Sequence, residues 1–72
     1  MKPFELVVGS SWMDKGYVIY DGRAEDIRAA CAACFLACGD KLVYDPHFGW
    51  RNQMGHDVFI RFDNRASGLI KF

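Results

Sequence analysis

The sequence predicts an α+β fold, a single antiparallel β-sheet of about four to five strands with one helix packed on one face. Three observations carry this. A long Ala-rich segment near the centre has the composition and end signals of a helix. Short runs rich in Val, Ile, Tyr and Phe flank it on both sides, separated by turn residues. And 72 residues make one domain, spanning 1–72, with room for a single core. The order along the chain is β-β-α-β-β-β.

FELVV (Phe4–Val8) is a strand by its β-branched and aromatic content, and it can run on to Met13. MDKGY then reads as a hairpin turn, with Asp14 and Lys15 at its centre and Gly16 in the left-handed position. Tyr17–Asp21 returns, so the first two strands are antiparallel neighbours. The helix is predicted over Ala24–Cys38. Asp21 or Gly22 caps it, Glu25 and Asp26 put negative charge in its first turn, and Gly39 stands just past its end. Lys41–Asp45 is a third strand, ended by Pro46. Asp57–Asp63 alternates, with Val58, Ile60 and Phe62 on one face and Phe59 and Arg61 on the other. NRASG is a turn, and LIKF closes the chain as a last strand. Pro46–His56 reads as one irregular loop, long for so small a domain and of the kind that often carries function. A lone helix covers only part of such a sheet. The other face, with Phe59 and either Tyr17 or Tyr20, is expected to keep apolar surface for a partner or a second copy.

Composition narrows the class. The hydrophobic fraction of 51% is that of a globular chain. Nine Lys and Arg balance nine Asp and Glu, so the formal net charge is zero and no basic run drives phosphate-backbone binding. Near-zero charge favours self-association, and a homodimer is one expectation. The first apolar run is broken by Glu5 and is too short for a signal peptide. No run approaches the ~18 apolar residues of a membrane span. The chain is read as cytoplasmic, without a membrane partner.

Cys31, Cys34 and Cys38 invite a metal reading, with His47 or His56 as a further ligand. Their spacing at i, i+3 and i+7 instead puts all three thiols on one helical stripe with Ile27 and nearby Phe35. That stripe must face the sheet, where free Cys behaves as a small hydrophobe. Ala30, Ala33 and Ala37 flank it and allow close approach. Leu36 points nearly opposite, which would make it a contact residue. No metal or cofactor is expected.

Enzymatic chemistry finds little material. Thiols in the middle and C-terminal end of a helix lack the positive setting a thiolate needs. His56 and Asp57 are adjacent, so they point to opposite faces of a strand. VVGSSW holds one Gly, where a phosphate-binding loop needs several at fixed spacing. A non-enzymatic chain is expected. VFIRF (Val58–Phe62) resembles the end of the strand motif of RNA-recognition domains, in which aromatics on a sheet face stack on bases. The likeness covers five residues. The preceding Gly–aromatic portion and the second helix are missing, and Phe59 and Phe62 fall on opposite faces.

DPHFGWRNQMGH (Asp45–His56) is the segment that binding chemistry favours. It presents Trp50, Phe48, Arg51, His47 and Met54, and Trp12 near the first hairpin is a further anchor. Trp and Arg dominate interface hot spots, and Met adapts to irregular surfaces. The opposing reading has Phe48 and Trp50 folding back to plug the core. The two coexist if one aromatic anchors the segment while the other faces outward. The expectation is a protein–protein interaction module that inhibits or modulates a larger complex. A phage or mobile element is one setting for such a chain, by analogy alone. The alternative is a single-stranded nucleic-acid binder using aromatics and arginines. A small-ligand site between helix and loop, with His47 and His56 as polar groups, is a third.

Overall fold

The computed structural model describes residues 1–9 and 16–69. It has the α+β architecture expected from the sequence, with a larger and a smaller antiparallel sheet. Strand β1 (Lys2–Val8) pairs with β2 (Tyr17–Ala24), helix α1 spans Ile27–Cys38, and a single 3-10 turn at Gly39–Lys41 follows. Then come β3 (Leu42–Asp45), β4 (Gly49–Asn52), β5 (Val58–Phe62) and β6 (Arg65–Ser67). The main sheet has the order β2-β1-β5-β6, and β3 and β4 form a separate two-stranded hairpin.

β1 sits at the centre because its alternation suits burial on both sides. Phe4, Leu6 and Val8 lie opposite Phe62, Ile60 and Val58 and face the helix. Leu6 and Ile60 are fully buried there. From the helix, Ala30, Cys31, Cys34 and Cys38 close this core, so the thiol stripe is indeed the stripe against the sheet. The other face meets the expectation of leftover apolar surface only in part, at Val18, which lies opposite Val7 and is exposed. Val7 and Phe59 are cross-strand neighbours there and both are buried, Phe59 to 9% exposure. Next to them Arg61 Nε stands 3.2 Å from Glu5 Oε1. Tyr20 lies instead on the helix side, its ring 5.9 Å from that of Phe4.

Several boundaries move for local reasons. β2 continues past Asp21, its expected last residue, through Gly22, an expected helix cap, and Arg23 to Ala24, the expected first residue of the helix. Gly22 stays in the strand because Phe4, directly opposite, lays its ring over the bare backbone; a Cβ there would come 3.0 Å from Phe4 Cζ. The helix cap is therefore Asp26, not Asp21 or Gly22: its Oδ1 accepts the Ala29 N–H at 2.8 Å. Gly39 does end the helix, but in right-handed geometry that leads into the 3-10 turn. Ile19 is an extra residue in β2, since Tyr20 pairs with Leu6 and Val18 with Val7. Gly16 has φ +63, the left-handed value expected of it. Asp63 and Asn64, with φ of 52 and 67, form a two-residue turn between β5 and β6. Arg65–Ser67 is thus strand rather than turn. Of the expected LIKF strand, Leu69 is buried outside any strand, and residues 70–72 lie outside the described residues.

Candidate functional site

Pro46–His56 is not one irregular loop. It is a turn, a strand and a second turn, each held by one side chain. Asp45 Oδ1 accepts the backbone N–H groups of His47 at 2.7 Å and Phe48 at 3.2 Å, which bends the chain after β3. Pro46 has its own φ fixed by its ring within this turn, and Gly49 takes φ +80 where the chain rejoins the ladder. Asn52 does the same for the second turn, its Oδ1 accepting from Met54 N at 3.1 Å and His56 N at 2.8 Å. An Arg51–Asp57 bridge then ties β4 to the start of β5.

Alternation across this hairpin gives it two unlike faces. Tyr44 and Trp50 are directly opposite one another on the inner face, 5.2 Å apart edge to face. Trp50 also meets Phe35 of the helix at 4.9 Å. Such contacts add to area burial. Trp50 is therefore the anchor that fastens the hairpin to the core, and the core-plug reading holds for it. Its indole Nε1 is shut from solvent without a hydrogen-bond acceptor among the described residues.

The outer face carries the remaining chemistry. Val43 and Arg51 are cross-strand neighbours, and Arg51 Cζ lies 4.4 Å from the Phe48 ring centroid. Arg51 Nε is 3.4 Å from Asp57 Oδ1, so the guanidinium is held between a carboxylate and a ring. Phe48 is nevertheless 66% exposed, and Val43 is exposed beside it. The His47 ring is 6.4 Å from that of Phe48. Of the residues singled out in the sequence, the fold brings Phe48, Arg51 and His47 together and turns Trp50 inward.

Met54 belongs elsewhere. It is exposed on the second turn, at the far end of β4, and borders a shallow hollow of about 220 Å³ with Tyr17, Ile19 and Lys41. Trp12 lies outside the described residues. Val43 was missed by sequence reasoning, although its position opposite Arg51 follows once Asp-Pro-x-x-Gly is read as a hairpin turn between two short strands.

Cys31, Cys34 and Cys38 are free thiols and all three are buried. Burial, followed by the neighbouring Cys31 and Cys38, pushes the Cys34 thiol up from an ordinary value near 9 to about 12. Among the described residues no three His, Cys, Asp or Glu side chains are arranged to hold a metal ion. None of the described helices is long and apolar enough to cross a membrane. Compared with protein-family models, with curated proteins and with solved structures, the chain matches none.

Proposed function

We propose that this chain is a non-enzymatic protein-interaction module that modulates or inhibits a larger complex through the outer face of its β3–β4 hairpin. One observation carries the reading. Trp50 is fastened between Phe35 and Tyr44, while Phe48, two residues earlier, stands in solvent with Arg51 stacked on it. An exposed aromatic is a hydrophobic cost unless something covers it, and this one sits on a turn held by the Asp45 carboxylate and the β3–β4 ladder. Ordering costs on binding are then small. Phe48 and Val43 would supply apolar area, and Arg51 and His47 the polar rim.

Affinity capture from host lysate tests this. The double variant Phe48→Ala, Arg51→Ala should lose its captured protein while its melting temperature stays near that of the parent chain. Unchanged capture, or a large drop in melting temperature, would show that the outer face has another role. Single-stranded nucleic acid is less well served by the same surface. The guanidinium already occupies one side of Phe48, and Phe59 of the VFIRF segment is buried. Salt-dependent binding of a random oligonucleotide would favour that reading instead.

A further inference from the structure

We infer that the free edge of β2 is a self-association surface, pairing antiparallel with β2 of a second copy of this chain about a two-fold axis at Gly22. This is independent of the hairpin tip. Among the described residues β2, with eight residues, is the longest strand and lies at the edge of the main sheet, whereas the other edge, β6, has three. A long edge offers a row of unpaired backbone groups to another strand. The extra residue Ile19 interrupts the regular ladder, so the straight part of β2 available for pairing is Tyr20–Ala24. Its centre is Gly22.

Charge selects the same register and a second copy as occupant. Asp21 lies directly across from Glu5 on β1, a like-charge pair that disfavours the strands' contact. Glu5 is relieved by Arg61 at 3.2 Å. Asp21 has no cation paired with it among the described residues. In an antiparallel pair centred on Gly22, Asp21 of each copy falls opposite Arg23 of the other, on the face away from the helices. Both acids of the ladder then have a base beside them. The pattern is self-complementary, so one contact made twice satisfies both copies, as a two-fold interface requires. Tyr20 falls opposite Ala24 on the helix side, a large residue against a small one.

Within this stretch Asp21, Gly22 and Arg23 are exposed.

Sedimentation equilibrium on the full chain tests the inference. The parent should show a reversible monomer–dimer equilibrium at roughly 10–100 μM, as befits a small interface. Asp21→Arg and Arg23→Asp should each weaken the dimer about tenfold or more, since each replaces two attractive pairs by two repulsive ones. The double variant Asp21→Arg, Arg23→Asp restores opposite charges across the axis and should recover the dimer. Asp21→Arg also faces Glu5 with a base, so the monomer fold is not at risk from this change. Phe48→Ala should leave the equilibrium unchanged, which separates this surface from the hairpin tip. A single monomeric species up to about 1 mM, or a dimer indifferent to both charge reversals, overturns the inference.

Discussion

The main sheet and the hairpin beside it use similar residues toward opposite ends. On β1 and β5, at the centre of the main sheet, aromatic and aliphatic side chains are buried on both faces. Leu6 and Ile60 are sealed under the helix, and Val7 and Phe59 are sealed on the other side. In the hairpin, cross-strand alternation puts Tyr44 and Trp50 on one face and Val43 on the other, and the turn before β4 leaves Phe48 in solvent; Tyr44 is itself 47% exposed, and it is Trp50 that packs on the core. Two aromatics two residues apart thus have opposite fates. A strand covered on both faces can only build stability. A strand covered on one face leaves the other to meet something else.

The largest expected effect lies in the sealed region. Ile60→Ala removes a fully buried side chain next to Leu6 and should cost about 2–5 kcal/mol in urea unfolding. A cost below ~1 kcal/mol would mean the main core is looser than its burial implies.

Trp50 tests the join between the two regions. Trp50→Ala should destabilise by roughly 2–4 kcal/mol, through loss of the contacts with Phe35 and Tyr44. Trp50→Phe keeps a ring and removes a buried donor that lacks an acceptor. It should cost clearly less, by unfolding titrations run side by side.

Alkaline pH sharpens the picture of the thiol stripe. The folded-state value for Cys34 is raised, so the folded chain holds its proton where the unfolded chain has released it. Stability is fully present below about pH 9 and falls as pH rises toward about 12, at up to ~1.4 kcal/mol per pH unit. Cys34→Ala should flatten that decline. An equally steep curve in the variant would assign the alkaline sensitivity to other groups.

The smallest effect belongs to the outer face. Phe48→Ala should change unfolding free energy by less than ~0.5 kcal/mol, because its ring is mostly in solvent already. A loss above ~1 kcal/mol would make Phe48 a structural residue and erase the contrast with Trp50.

Much of this fold was legible because it rests on periodicity. The alternation of Val58, Ile60 and Phe62 placed β5 correctly, and the i, i+3, i+7 spacing of Cys31, Cys34 and Cys38 placed the helix face. The hairpin was legible only in pieces. GWRN has no alternating hydrophobic pattern of its own, and becomes a strand because Asp45 and Asn52 each hold a turn and because Trp50 finds Phe35. The N-terminal end of the helix was displaced for a similar reason. Asp21 and Gly22 are sound capping residues, but pairing with Glu5 and Phe4 keeps them in β2 and leaves the cap to Asp26.

Sequence alone determined the α+β class, the central helix, the first antiparallel pair and the inward stripe of thiols, since each follows from local propensity and from which residues avoid water. Only the tertiary structure decided that β3 and β4 leave the main sheet, that Phe59 is covered, and that Trp50 turns in while Phe48 turns out. Those outcomes depend on contacts between residues far apart in the chain, and no window of sequence contains both partners.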